Sequence, residues 1–416
     1  VRILPSPGLL AAIRNERARS TGPICAYLYD LGALTEHVRA TRAALPANCE
    51  MFYAIKANAE VPILGALAPI VDGFEASSGG ELAWLNEHAP GKPMIFSGPG
   101  KLDDEIRQAL ALGIELIHVE SLGELARLAR IAGDMGRTAP IALRVNLGLG
   151  SAAATRLMMA GASPFGIEEA ELAACIAFID GQPALDLQGF HIHSLSHQLD
   201  MKAHLALIEI YLDRIAAWNA MYGRRIRHLN MGGGIGINYR DPDDQIDWPA
   251  FTAGLSALIE RKRAQHLALR FEFGRYLTCA SGYYAAEVVD LKSSHGQWFA
   301  ICRGGSHHFR TPSAQRHSHP LIILPRDRPP APDDRPAIFG TRVNVVGQLC
   351  TPTDRLAQDV PVEELRVGDT VLFLLAGAYA WTISHHDFLR HPPPAMCFVE
   401  ASLPIEKETA DVDAIF

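Results

Sequence analysis

Several absences bound the 416-residue chain before any residue is singled out. No apolar run approaches the ~20 residues needed to cross a bilayer, and 48% hydrophobic against 20% charged residues is the composition of a water-soluble globular protein. No block of lysine or arginine occurs and the net charge is −8, which argues against nucleic acid as a partner. The seven cysteines, an odd number spread from Cys25 to Cys397, show neither CxxC nor Cys/His metal spacing. Reduced thiols and no metal centre are the expectation. No amino-terminal stretch combines a charged start, an apolar centre and a small-residue cleavage site, so cytoplasmic residence without a membrane partner is expected. Neither an internal repeat nor a low-complexity segment is found.

What is present is an alternation of apolar runs with amphipathic segments. The runs fall at 51–55, 70–76, 93–96, 114–119, 140–146, 185–193, 227–231 and 267–273. Helical spacing separates them, as in Leu122, Leu125, Leu128 and Ile131. Eight strands, each followed by a helix, predict a (β/α)8 barrel in the α/β class, with a doubly wound sheet as the weaker alternative. After Arg275 helical periodicity stops and short β-rich runs take over: 283–291, 297–302, 321–324, 343–349, 370–375 and 396–399. The predicted organisation is a barrel over 32–275 and an all-β domain built from 1–31 and 276–416. Pro320 to Pro336 reads as a surface loop, and Leu147 to Pro164 as a mobile loop at the barrel mouth.

In such barrels the chemistry lies where strands end. The first strand runs into Lys56 and Asn58, whose ammonium beside a dry core is expected to lose its proton readily and act as an amine toward a carbonyl. One lysine alone is equally a snorkelling strand end. Glu75 and Ser77 follow the second strand, His118 and Glu120 the fourth, Arg144 and Asn146 the fifth. His191, His193, Ser194 and His197 follow the sixth. Gly232-Gly233-Gly234 after the seventh lets backbone N–H groups approach an anion, and the segment behind it is expected to add a helix-terminus field. Glu272 and Arg275 at the eighth supply an anion for a pyridinium nitrogen and a cation for a phosphate. Taken singly, each of these has a plain structural reading as turn, salt bridge or core residue.

Together the residues resemble the fold-type III pyridoxal-phosphate decarboxylases, the ornithine, arginine and diaminopimelate decarboxylase family. The likeness is carried in the family's order by Tyr53-Ala54-Ile55-Lys56-Ala57-Asn58, Gly73-Phe74-Glu75-Ala76-Ser77, Gly189-Phe190-His191-Ile192-His193-Ser194, the glycine triplet, Glu272-Phe273-Gly274-Arg275, Cys350 to Asp354 and Gly377-Ala378-Tyr379. The resemblance implies that Lys56 holds pyridoxal 5'-phosphate covalently, that His191 stacks on its ring and that Glu272 pairs with the ring nitrogen. It implies that Ser194, Gly234, Arg275 and Tyr379 bind the phosphate, with Glu75, Arg144, Gly233 and Gly274 completing the cofactor set. Cys350 is similar to the cysteine the family's homodimer donates across its interface, and returns a proton to Cα.

Two departures concern the substrate. Thr351 stands where diaminopimelate enzymes carry a glutamate after the cysteine, and Pro164 replaces the family's lysine before Phe165-Gly166, removing an expected ion pair. The stretches Arg303 to Arg310 and Ser384 to Phe388 are cationic or hydrogen-bonding, which suits an acidic substrate tail. Arg310, Asp354, His385 and His386 are the expected substrate contacts, while His307 has surface solvation as its plain alternative. Gly347 to Pro352 and Ile383 to Leu389 resemble the family's siderophore-biosynthetic branch, which decarboxylates citryl-2,3-diaminopropionate on the way to staphyloferrin B. Diaminopimelate, ornithine or citryl-serine remain alternative substrates. A racemase, or a binding protein like the antizyme inhibitors, is a weaker reading, because racemases lack the Cys350 motif and Lys56, Glu272 and Cys350 are all retained.

Overall fold

The computed structural model describes residues 3–148, 163–194, 196–326 and 333–400. They form two compact units. The first comprises His37–Cys279 with Gly377–Thr382, and the second the described residues up to Glu36, Ala280–Ala376 and those from Ile383. Strand β1, Cys25–Asp30, belongs to the second unit. No helix among the described residues is long and apolar enough to cross a membrane.

The first unit is a closed barrel. Its strands are β2 (Cys49–Ala54), β3 (Gly73–Ala76), β4 (Met94–Phe96), β5 (Leu116–Val119), β6 (Ala139–Asn146), β8 (Leu185–His191), β9 (His228–Asn230) and β10 (Ala268–Phe273); β7 (Ile167–Glu168) is a two-residue appendage of β6. Every neighbouring pair is parallel, and β10 returns to β2 through Leu269–Cys49 to Phe273–Tyr53. Strands buried on both faces read as continuous apolar runs, which is why the sequence shows them. Phe52, Ile95, Leu116 and Ala142, from four different strands, meet in one buried cluster inside the ring. Because all eight strands run the same way, their carboxyl ends share one rim.

Helix starts fix the rim locally. Ser78 accepts from the Glu81 N–H while the Glu81 carboxylate accepts from the N–H of Ser77, at 3.1 and 2.6 Å. Ser121 and Glu124 repeat the arrangement with the N–H of Glu120, at 3.0 and 2.8 Å. These reciprocal caps, each worth about 1 kcal/mol, pin Ser77 and Glu120 immediately after β3 and β5.

The second unit is an eight-stranded, mostly antiparallel sheet in the order β13 (Leu321–Leu324), β16 (Thr370–Phe373), β11 (Gly282–Ser294), β12 (Gln297–Cys302), β14 (Ala337–Val346), β15 (Arg355–Arg366), with β1 pairing both β11 and β17 (Ala395–Val399). The apolar run expected at 321–324 is β13, paired with β16, so the loop expected from Pro320 to Pro336 overlaps a strand, and its residues 327–332 lie outside the described residues. One strand is not visible in the sequence. Strand β15 shows no apolar run in sequence, because it is the last strand of the sheet's path and half its side chains face solvent around Pro361. Most of the loop expected from Leu147 to Pro164, residues 149–162, lies outside the described residues.

Candidate active site

The barrel rim gathers its polar residues around Lys56, one residue into a single 3-10 turn that follows β2. Its Nζ donates to Glu75 Oε2 at 2.7 Å and to Ser77 Oγ at 3.4 Å, and Ser77 Oγ donates to Glu75 Oε1 at 2.8 Å. Glu75 is fully buried, whereas the Lys56 side chain is 44% exposed. This overturns the expected charge state. Burial alone lowers the lysine pKa, but the Glu75 carboxylate, with Tyr379 and Glu272 beside it, outweighs burial and holds Lys56 above its ordinary value. Burial raises the Glu75 carboxyl, and the Lys56 ammonium more than reverses that, so the two stand as an ion pair. The amine becomes a nucleophile only after losing its proton, and below its pKa the neutral fraction rises tenfold per pH unit. Aldehyde capture is therefore expected to accelerate as pH rises from 6 to 9. Glu75→Gln should lower the lysine pKa and raise the capture rate at pH 7 severalfold, as stopped-flow absorbance would show.

Glu272, the penultimate residue of β10, lies on the same rim and is 7% exposed. Asn230 Nδ2 donates to its Oε1 at 2.8 Å, and His118 Nδ1 lies 3.5 Å from the same oxygen. Burial, then the like charge of Glu75, pushes the Glu272 carboxyl up to about 7 against the pull of Lys56, Arg144 and Asn230. His191 Nε2 is 3.6 Å from Oε2, too long for a hydrogen bond, and both ring nitrogens of His191 are buried with no hydrogen-bond partner. Burial, then the nearby His118, holds His191 well below its ordinary pKa, so the ring is neutral. His118, His191 and Glu272 offer donor atoms within 4.8 Å of one another. His118 Nδ1 is already bonded to Ser97 Oγ at 2.9 Å and its Nε2 to Asn230 Nδ2 at 3.3 Å, which suits a seat for a flat ring better than a cation cage.

A cavity of about 260 Å3 opens between Lys56 and Glu272, and Gly234, Arg275 and Tyr379 line its far side. Gly234 has φ +86°, and a Cβ on Gly233 would collide with the Glu272 carbonyl oxygen, so the triplet brings bare backbone against β10. Gly233→Ala is expected to weaken cofactor binding at least about tenfold in a fluorescence titration, since the obstacle is backbone that cannot step aside. The expected helix-terminus field is absent: the chain from Met231 to Asp247 is irregular, and the next helix begins at Trp248. Arg275 supplies the positive charge instead. It donates to the Tyr239 hydroxyl at 2.7 Å and lies 4.8 Å over the Tyr379 ring. Tyr379 is carried by the segment that returns to the barrel, through Asn58 Nδ2 to the Gly377 carbonyl at 3.0 Å and the Tyr379 N–H to the Ala57 carbonyl at 2.9 Å. Gly274 also lines the cavity.

Other expected residues sit differently. Ser194 is buried and hydrogen-bonded with Tyr211, while Ser196, His197 and His193 line the cavity. The His193 Nδ1 accepts from the Gly233 N–H at 3.2 Å, a partnership the sequence could signal only by placing a second histidine two residues after the first. Arg144 is spent on Glu120, at 2.8 Å, and stacks 4.8 Å over Phe165, the residue after Pro164. Glu120 also accepts from the N–H groups of Gly98 and Gly166. Lys101, by contrast with Lys56, is 3% exposed and gives its three donors to the Gly98 and His118 carbonyls and to Glu124.

Cys350, Arg310, Asp354, His385 and His386 belong to the second unit. Cys350, Arg310 and His385 are exposed there and His386 is half-buried. Asp354 is buried with its carboxylate on backbone N–H groups. Surface solvation does not hold for His307, which is wholly buried, its ring 3.8 Å from that of His308 and 5.2 Å from that of His391. Burial, then His391, lowers its pKa to about 4.

Residues 31–279 match the family model described as the pyridoxal binding domain of pyridoxal-dependent decarboxylases. A Staphylococcus aureus enzyme, 2-[(L-alanin-3-ylcarbamoyl)methyl]-2-hydroxybutanedioate decarboxylase, is 41% identical over 91% of this chain and 94% of its own length. The diaminopimelate decarboxylase of Pseudomonas aeruginosa is 32% identical over 86% of this chain and 83% of its own. Among solved structures, diaminopimelate decarboxylase from Helicobacter pylori, complexed with L-lysine, superposes with a TM-score of 0.81 at 25% identity, covering 94% of both chains.

Proposed function

We propose, because this chain belongs to the pyridoxal-dependent decarboxylases, that it removes the α-carboxylate of a citrylated amino acid, citryl-2,3-diaminopropionate, in siderophore biosynthesis. The observation that carries the substrate class is the 41% identity with the Staphylococcus aureus decarboxylase, whose named substrate is this compound, over nearly the full length of both chains. Thr351 in place of an acid beside Cys350 supports it, since a distal ammonium loses its counter-charge there.

The cavity fits pyridoxal phosphate. The neutral His191 ring, whose nitrogens have no hydrogen-bond partner, suits stacking on an aromatic face, and the buried Glu272 carboxyl, pushed up to about 7, suits a protonated ring nitrogen. The bare backbone at Gly234 and the Arg275 guanidinium suit a phosphate. When bound, the cofactor supplies a protonated ring that accepts the electron pair left as carbon dioxide departs. Lys56, poised by Glu75, would be the residue that holds the cofactor's aldehyde carbon. Glu272, braced by Asn230, keeps a proton on the ring nitrogen. Cys350, donated by the second copy of a homodimer, returns a proton to Cα, giving an amine one carboxylate shorter. Arg310, His385 and His386 are the donors this reading assigns to the citryl carboxylates, and the enzyme works in the cytoplasm.

A substrate panel followed by mass spectrometry tests this. Carbon dioxide release from citryl-2,3-diaminopropionate should exceed that from diaminopimelate, ornithine or lysine by at least about 100-fold in kcat/KM, equivalent to ~2.7 kcal/mol of discrimination at the transition state. The reverse preference would remove the substrate assignment, and a product that keeps its carboxylate would point to racemisation.

A further inference from the structure

The loop that presents Cys350 is held at both ends. At its far end the Asp354 carboxylate, 2% exposed, accepts from the Ser306 N–H through Oδ1 at 2.6 Å and from the Leu349 N–H through Oδ2 at 2.9 Å. The Asp354 carbonyl accepts from the Gly347 N–H at 3.1 Å, which closes the loop on itself. Gly305 and Gly347 leave the room: a Cβ on either would approach a carboxylate oxygen to 2.6 or 2.3 Å. At the near end the Gln348 Oε1 accepts from Arg303 Nη1 and the Gly304 N–H, at 3.0 and 3.1 Å, while its Nε2 lies 2.6 Å from His391 Nδ1. Between these anchors Cys350 is exposed.

A carboxylate with both oxygens aimed at backbone donors and almost no surface left is poorly placed to touch a substrate. We propose that Asp354 is a positioning residue, which with Gln348 fixes the loop Gly347–Asp354 so that the Cys350 thiol stands where a proton must be returned. The assignment rests on reading Cys350 as the proton donor. It takes Asp354 out of the set expected to bind substrate. Asp354→Asn replaces one acceptor oxygen with an NH2 group that must face a backbone N–H, so one of the two anchoring bonds is lost and two donors oppose each other.

Asp354→Asn, Gln348→Met, Cys350→Ala and the Asp354→Asn/Cys350→Ala double variant would be compared as cofactor-loaded protein. The alkylation of Cys350 by iodoacetamide would be followed by peptide mass spectrometry with and without cofactor. Asp354→Asn is expected to lower kcat about 30-fold with KM within about twofold, because general acid catalysis is worth 10²–10⁴ and only its geometry is disturbed. Cys350 should be alkylated at least threefold faster on the freed loop. The double variant should be no slower than Cys350→Ala alone, as for residues acting as one unit. A tenfold rise in KM with kcat intact would make Asp354 a substrate ligand and overturn the proposal, as would independent, multiplying losses in the double variant. Should Asp354→Asn not fold, Gln348→Met, which spares the carboxylate, must show the same kcat loss and faster alkylation. If Cys350→Ala decarboxylates at full rate, the proton-donor reading fails by itself. The alkylation rates then decide the loop-setting claim, which unchanged rates in both anchor variants would end.

Discussion

Lys56→Ala is expected to abolish the visible absorption band of attached cofactor and to lower decarboxylation at least about 10⁴-fold, since the covalent step and its return both pass through this amine. The effect should be local. The Lys56 side chain is 44% exposed and its ion pair is with Glu75. Its removal leaves that carboxylate buried and uncompensated, so Glu75 should take up a proton while the fold persists. Circular dichroism should be unchanged while absorbance near the attached-cofactor band and carbon dioxide release both vanish. Lys101 cannot replace it, because all three of its donors are spent on two carbonyls and Glu124 inside the barrel wall.

Glu272→Gln is expected to cut kcat about 10³-fold while the cofactor still attaches to Lys56, a scale typical of removing a pre-organised charge from a water-poor site. The amide keeps the shape and the contact with Asn230 but cannot hold a proton on a ring nitrogen. A second signature separates this from damage to the fold. In the cofactor-free protein the Glu272 pKa, about 7, lies above its ordinary 4.5, so the folded state binds the extra proton between those values. Stability from this group is present below pH 4.5 and declines as pH rises toward 7. Glu272→Gln removes that decline, so the cofactor-free variant should melt higher than the unsubstituted protein at pH 7.5 and similarly at pH 4.5. Greater stability with lost turnover is the pattern of a group kept for function.

The barrel is legible in the sequence because its strands are buried on both faces and therefore read as unbroken apolar runs. The Ser78/Glu81 and Ser121/Glu124 pairs mark helix starts directly after them. The clustering of Lys56, Glu75, His191, Glu272 and Arg275 follows from strand-end positions once the ring is known to close. What sequence conceals is the pairing across strands. The charge state of Lys56 is set by Glu75, nineteen residues on, and reverses the expectation from burial alone. Arg144 is claimed by Glu120, and Ser194 by Tyr211, because neighbouring strands and helices deliver those partners at hydrogen-bond range. The chain after the glycine triplet carries polar residues that could cap a helix, yet the helix begins only where Asp247 caps Trp248-Pro249. In the second unit, β15 escapes a search for apolar runs because its exposed face is charged.

Reduction of the cofactor-loaded protein with borohydride, followed by peptide mass spectrometry, reads the attachment point without reference to turnover. The reduced cofactor is predicted on the peptide Met51 to Asn58, at Lys56, in stoichiometric yield. Label on Lys101 or any other lysine, or none at all, would contradict an amine at the end of β2 facing a buried carboxylate at the end of β10.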